Sequence, residues 1–97
     1  MRRNAFVYIL ASARNGTLYV GAATNLMKRV WDHKQGVGSK FTSKYDVTML
    51  VYFEPHVTIE DAVYRERQIK RWKRGWKINL IEGSNPDWRD LYDEIAQ

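Results

Sequence analysis

Five side chains that could act on a phosphodiester occur at spacings that a small fold could bring together. Arg29 and His33 are four residues apart, so on a helix they share one face. Tyr8 and Tyr19 lie in two short runs of β-forming residues, Phe6 to Ala11 and Thr17 to Ala22. Glu66 stands on a helical stripe of Ile59, Ala62, Val63 and Ile69, where an apolar residue belongs. A carboxylate facing a core must be paired, neutralised or bound to a cation. Two readings of Glu66 therefore stand side by side: a ligand for a divalent cation, or a stripe-edge acid salt-bridged to an arginine such as Arg29. Together the five residues suit phosphodiester hydrolysis. Arg29 and a Mg²⁺ held by Glu66 would offset charge developing on the scissile phosphate. Mg²⁺ prefers oxygen ligands and keeps several waters, so one carboxylate plus the substrate is sufficient. Tyr8 or His33 would serve as the base for the attacking water, the tyrosine only if neighbouring cations lower its pKa.

Other chemistries lack their residues. With no cysteine there is no disulfide framework and no thiolate. The only histidines are His33 and His56, too few for a closed zinc site. No serine nucleophile elbow or glycine-rich phosphate loop occurs. His56, beside Pro55, is expected in a loop as surface.

The charge distribution favours a polyanionic partner. Residues 1–77 hold 15 Lys/Arg against 6 Asp/Glu, whereas residues 78–97 hold 1 Arg against 5 acids. Seven of the positive charges fall between Arg65 and Lys77. Density of this kind attracts nucleic acid through its phosphates, the alternative being a solvated basic face with no partner. The residues expected to touch phosphate are Arg67, Lys70, Arg71, Arg74 and Lys77. Trp72 and Trp76 interleave with them, but tryptophans four apart also suit core packing. A length of 97 residues fits a single domain over 1–97. After Met1-Arg2-Arg3-Asn4 the apolar run from Ala5 to Ala13 is too short to span a membrane, and Arg14-Asn15-Gly16 does not resemble a signal-peptidase site. A cytoplasmic protein without a membrane partner is expected.

Local signals supply the elements. Asn15-Gly16 predicts a two-residue hairpin turn, placing Arg14 opposite Thr17, Tyr19 opposite Ser12, Gly21 opposite Leu10 and Tyr8 opposite Ala23. Tyr8, Leu10, Thr17, Tyr19 and Gly21 then share one face. Thr24 or Asn25 caps a helix to about Gln35, with Leu26, Met27, Val30 and Trp31 on its apolar face; Gly36-Val-Gly-Ser is a flexible loop. A strand spans Asp46 to Glu54, ended by Pro55. Thr58 and Asp61 form a capping box opening the Glu66 helix, which runs to Arg74 and breaks near Gly75. A short helical segment stops at Gly83. Asn85-Pro86 opens a last helix with Trp88, Leu91, Tyr92 and Ile95 inward. The order ββαβααα describes an α+β domain, a small three-stranded antiparallel sheet flanked by helices.

In this setting the chain resembles the GIY-YIG nuclease family over residues 5 to about 80. Phe6-Val7-Tyr8 and Tyr19-Val20-Gly21 look like the two halves of its motif, Arg29 and His33 match its Arg-x-x-x-His, and Glu66 matches its metal-binding Glu. Asn85-Pro-Asp-Trp-Arg-Asp-Leu91 resembles the ending of small stand-alone bacterial members, relatives of the N-terminal domain of the excision-repair nuclease subunit. The resemblance implies cleavage of DNA with one Mg²⁺ or Mn²⁺, leaving a 5′-phosphate, in repair or recombination. It implies that Tyr8 helps activate water, Tyr19 orients that network and Arg29 holds the phosphate. His33 would assist proton transfer, Glu66 would bind the metal and Gly21 would keep the sheet open for substrate. The chain departs from the family in having Phe6-Val7 for Gly-Ile, and Lys77 where many members have Asn, with Asn79 two residues on. One alternative is a nucleic-acid-binding module of the same fold that does not cut. Another is an interaction subunit whose acidic C-terminal helix docks a protein partner.

Overall fold

The computed structural model describes residues 4–96; Met1 to Arg3 and Gln97 lie outside them. The elements are β1 (Ala5–Ala11), β2 (Leu18–Ala23), α1 (Leu26–Lys34), α2 (Lys40–Tyr45), β3 (Met49–His56), α3 (Ile59–Arg71), α4 (Arg74–Ser84) and α5 (Tyr92–Ile95). The three strands form one antiparallel sheet in the order β2-β1-β3, so the fold is the expected α+β class with β1 at its centre.

The hairpin register differs from the expected one by two residues. Tyr8 pairs with Gly21, Leu10 with Tyr19 and Phe6 with Ala23. The Ser12 amide reaches the Thr17 carbonyl at 3.0 Å, leaving a four-residue loop, Ala13 to Gly16, instead of the two-residue turn. The Ser12 side chain explains the wider loop, since its hydroxyl accepts the Thr17 amide at 2.9 Å and holds the strand ends apart. Asn15 takes the left-handed conformation at φ 57°, which Asn tolerates better than most residues. A shift of two keeps every side chain on its face, so Tyr8, Leu10, Tyr19 and Gly21 remain together.

Both faces of the sheet are covered. Val7, Ile9, Val20 and Val51 pack with Ala62 and Ile69 of α3, Ile81 of α4 and Trp88. Tyr8, Leu10 and Leu50 pack on the other face with Leu26 and Val30 of α1, Val47 and Leu91. A bulge makes this possible on β3. Ile9 pairs with Tyr52 but Leu10 with Leu50, so Val51 is extra, and both Val51 and Tyr52 turn to the α3 side. Pro55 does not end β3; it pairs with Phe6 on an edge strand, where its missing N–H costs no ladder bond.

The helices follow their caps. Asn25 accepts the Lys28 amide and Thr58 the Asp61 amide, both in line with the sequence signals. The segment expected as a flexible loop runs into α2, capped by Ser39, which accepts the Thr42 amide. Its six residues are too few to show a helical period. The break after α3 comes at Trp72 and Lys73, ahead of Gly75, which lies inside α4 as Gly83 also does. Asn85 does not open a helix. It is the C-cap of α4, and its side chain is buried as a clamp: the amide donates to the Val51 and Arg89 carbonyls at 3.1 and 2.8 Å, and its oxygen accepts the Arg89 amide at 3.0 Å. The C-terminal segment therefore follows a turn at Pro86–Asp87 with Trp88 in the left-handed conformation at φ 55°, and beyond α4 only Tyr92–Ile95 are helical.

Replacing Asn85 by Ala strands buried partners on β3 and on the C-terminal segment. The expected loss is about 2–3 kcal/mol of stability, read as a lowered urea midpoint with an unchanged slope. An unaltered midpoint would show that the clamp is dispensable.

Candidate active site

The two tyrosines, Arg29 and His33 meet on the face of the sheet covered by α1. Tyr8 projects from the middle of β1 and is 1% exposed. Its ring folds across Gly21, where an added Cβ would come within 2.4 Å of the Tyr8 hydroxyl. The expectation that Gly21 keeps the sheet open for substrate is thus corrected: Gly21 lies opposite Tyr8, not Leu10, and the space it leaves is filled by the phenol. The Tyr8 hydroxyl is 3.0 Å from Nε2 of His33. His33 is fully buried, so it belongs to the inner side of α1 and not to its solvated surface. The Tyr19 ring is half-buried at 5.2 Å from the imidazole and 6.3 Å from Tyr8, between centroids. Arg29, one turn before His33, brings its guanidinium beside both phenols.

The electrostatics of the cluster are dominated by burial. Burial lifts the Tyr8 hydroxyl to a pKa of about 12; Tyr19 and Glu66 add to the rise, and Arg29 pulls the other way without reversing it. The lowered phenol that base catalysis by Tyr8 alone requires is therefore not what this cluster supplies. Burial likewise pushes His33 down to about 4, with Arg29 adding to the fall and Asp32 opposing it. At neutral pH the imidazole is uncharged, and one of its nitrogens is a lone-pair acceptor.

Glu66 stands on α3, whose Ala62 and Ile69 pack on the face of the sheet opposite this cluster. α3 runs alongside β2 and β1, and the Glu66 charge is felt at Tyr8. Its side chain is 16% exposed and pairs with Lys70 Nζ at 2.6 Å, not with an arginine. It sits at the border of the apolar stripe, beside the buried Ala62 and Ile69. The chemistry of this donor fits a hard divalent cation. A single carboxylate at a half-open position leaves coordination sites for waters and a phosphate oxygen, as Mg²⁺ or Mn²⁺ prefers. No group of three or more His, Cys, Asp or Glu forms an all-protein cage among the described residues.

The basic residues divide into two groups. Arg67 and Arg71 carry no ion pair or side-chain hydrogen bond among the described residues. Three others already have partners. Lys70 holds Glu66, Arg74 donates to the Asn15 and Gly16 carbonyls at 2.7 Å each, and Lys77 donates to the Lys70 carbonyl at 3.4 Å. Asn79 is exposed beside Trp72, Trp76 and Leu80 on α4. Trp76 is exposed too, whereas Trp72 packs on the core and carries the Arg65 guanidinium over its ring at 5.1 Å.

His56 is not a loop bystander. It lies on β3 with Nε2 at 2.6 Å from Glu54, which also accepts from Tyr52 and from Arg65 of α3. This cluster locks α3 to the sheet. Two acids near the C-terminus are likewise committed within the chain: Asp90 pairs with Lys34 and accepts the Leu50 amide, and Glu82 accepts from Trp88 Nε1. The last helix, α5, is four residues long and carries Asp93 and Glu94.

Sequence reasoning missed three residues around His33. Nδ1 of His33 is 2.9 Å from Thr42 Oγ1, Ser39 lies behind Thr42, and Gly38 presses its backbone on the ring. Phe41 of α2 adds an exposed ring 6.2 Å from Tyr19. A serine after a glycine is a cap signal, and the short α2 hid it.

Comparison with known proteins agrees with this geometry. A profile of the GIY-YIG catalytic domain matches residues 4–79. A UPF0213 protein of Staphylococcus epidermidis is 38% identical over 77 residues, covering 79% of this chain and 93% of that protein. One from Staphylococcus aureus is 39% identical with the same coverage. The solution NMR structure of a UPF0213 protein from Bacillus halodurans covers 90% of this chain and 92% of its own, with 26% identity and a TM-score of 0.55. These relatives are small proteins little longer than the shared segment, as the sequence resemblance implied. The chain thus belongs to the GIY-YIG family of nucleases, and its closely knit Tyr8, Tyr19, Arg29 and His33 fall inside the family domain.

Proposed function

We propose that this protein is a divalent-cation-dependent endonuclease that hydrolyses DNA phosphodiester bonds at the cluster of Tyr8, Tyr19, Arg29, His33 and Glu66. The observation that carries the reading is the 3.0 Å contact of the Tyr8 hydroxyl with a buried, uncharged His33, beside the Arg29 guanidinium. A proton taken by Tyr8 from water has an onward acceptor at Nε2, so Tyr8 need not stand as a free phenolate. Arg29 is the group that binds the phosphate. In doing so it gives up part of the positive field that opposes protonation of His33, and proton uptake becomes coupled to substrate binding. Tyr19, packed on the imidazole and open on its outer side, orients the phosphate and the water. Glu66 would hold the cation, which would stabilise charge on the phosphate oxygens as a Lewis acid.

Arg67 and Arg71 flank Glu66 on α3 and would follow the DNA backbone. Phe41 and Tyr45, exposed beyond Tyr19, offer faces on which bases could stack. Phosphate contacts carry no sequence information, so target choice would rest on DNA shape or on a protein partner. A second reading, a binding module that does not cut, is favoured by the resemblance, in which Lys77 looks like the residue at the position where many members have Asn, while Asn79 is exposed on α4 beside Trp76.

Supercoiled plasmid and branched DNA incubated with Mg²⁺ or Mn²⁺ should be nicked, and EDTA should stop the reaction. Glu66→Ala should lower the rate by about 10²-fold or more while DNA is still bound. Intact DNA at every metal concentration, with binding retained, would transfer the chain to the second reading. Arg67→Ala and Arg71→Ala should each reduce the slope of log K against log salt by about one unit. Arg74→Ala should leave that slope nearly unchanged, since its guanidinium serves the hairpin loop. Equal effects at all three positions would count against the division of the basic residues.

His33 predicts a pH dependence of stability. Its folded pKa, about 4, lies below the ordinary 6.5, so the unfolded chain binds more protons between these values. Stability should be fully present above about pH 7 and fall as the pH drops through 6.5 toward 4, by about 2 kcal/mol at pH 5. Urea midpoints of the wild type and His33→Gln at both ends of the window isolate this effect. The same drop in both proteins would assign it to other groups.

A further inference from the structure

One direction of the hydrogen bonds behind His33 satisfies every contact at once. Thr42 is fully buried, and its Oγ1 lies 2.9 Å from His33 Nδ1, 2.9 Å from Ser39 Oγ and 3.3 Å from the Ser39 carbonyl. A threonine hydroxyl has one proton and two acceptor lone pairs. The Ser39 carbonyl can only accept, so all three contacts are met at once only if it takes the Thr42 proton beside the Ser43 amide, which it accepts at 3.1 Å. Ser39 Oγ, which accepts the Thr42 amide at 3.0 Å, then gives its own proton to Thr42. With all three contacts met, the one to His33 is received by Thr42, as Nδ1–H donating to Oγ1; a Thr42 proton given to Nδ1 instead would leave the 3.3 Å carbonyl contact unused. Water does not intervene at Nδ1, because the Gly38 backbone lies so close that an added Cβ would come within 2.3 Å of it.

We propose that Thr42 and Ser39 are positioning residues that hold His33 as its Nδ1–H tautomer, so that the Nε2 lone pair faces the Tyr8 hydroxyl. Tyr8 then donates to His33, which is the direction that a proton leaving water must travel. The opposite tautomer would place N–H against the phenol and turn the imidazole lone pair to Thr42, so that His33 could not accept from Tyr8. α2 and the turn before it are therefore part of the proton path without touching substrate. The catalytic consequence rests on the endonuclease reading, whereas the tautomer does not. Residues that orient a functional imidazole through its other nitrogen are commonly worth about 10–100-fold in activity.

The test combines a spectroscopic and a kinetic measurement. In ¹⁵N-labelled protein without metal or DNA, long-range ¹H–¹⁵N correlations of His33 near neutral pH should report Nδ1–H. Thr42→Val, which keeps the shape and removes the acceptor, should shift the ring toward Nε2–H. On cleavable DNA it should lower kcat by about 10–100-fold with KM little changed, and Thr42→Ser should restore most of the rate. A wild-type Nε2–H signal overturns the proposal outright, even if Thr42→Val fails to fold. So does a folded Thr42→Val with an unchanged tautomer and full rate. If the wild type cuts no DNA, the endonuclease reading fails by itself, and the spectrum still decides how Thr42 and Ser39 set the imidazole.

Discussion

The hydrogen bond between Tyr8 and His33 ties the central strand to the first helix, and several otherwise arbitrary residues answer to it. A phenol and an imidazole cannot both be buried without using their polar atoms, because each unpaired group would cost about 1–3 kcal/mol. The two satisfy one another on one side. On the other, His33 finds Thr42, and Thr42 finds Ser39. Close approach demands small neighbours, met by Gly21 beneath the Tyr8 ring and Gly38 beside the imidazole. The site is thus a continuation of the core of that face, with Leu10, Val30, Val47 and Leu50 around it. Preorganisation follows from packing: neither ring has room to leave the geometry in which they meet.

The second arrangement that matters is the position of α3. Burial of Ala62 and Ile69 against the sheet sets its depth, and the Glu54 cluster on β3 fixes it laterally through Arg65. Glu66 consequently sits at the sheet border, deep enough to influence Tyr8 and open enough to keep a charged partner. Lys70 fills that role. The Lys70 end of this i,i+4 pair is half exposed, whereas the Glu66 carboxylate is largely buried. The same helix thus combines a paired acid with Arg67 and Arg71 close by on its surface.

Much of this is legible in the sequence, for reasons that differ by residue. Faces are robust to error: the hairpin register shifts by two, yet Tyr8, Tyr19 and Gly21 stay together because strand side chains alternate with period two. Caps at Asn25 and Thr58 are local signals, which is why they can be read locally. Long-range competition defeats the local signals elsewhere. Asn85-Pro86 has the form of a helix start, but the Asn85 side chain satisfies more groups as a clamp between β3 and Arg89. Charge counting treats the basic residues of α3 and α4 alike, whereas only tertiary structure shows Arg74 committed to a hairpin loop. The Thr42 side of the site is hidden for a further reason. A threonine in a six-residue helix carries no periodicity and no charge, and its significance appears only once His33 is known to be buried beside it.

The opposed shifts of Tyr8 and His33 explain why such a site needs its substrate. In the free protein each group alone is unsuited to moving a proton from water, because the phenol is too weak an acid and the imidazole too weak a base. Both conditions arise first from burial, and Arg29 contributes to the second. A phosphodiester placed against Arg29 brings the negative charge that these surroundings lack. It favours a positive imidazolium and offsets the guanidinium that had opposed it. Under the endonuclease reading, proton transfer from water through Tyr8 to His33 would then be drawn out by the substrate itself, and in its absence the Tyr8–His33 pair would stay neutral. A single Arg four residues before a buried His would thus both hold the phosphate and report its arrival to the base.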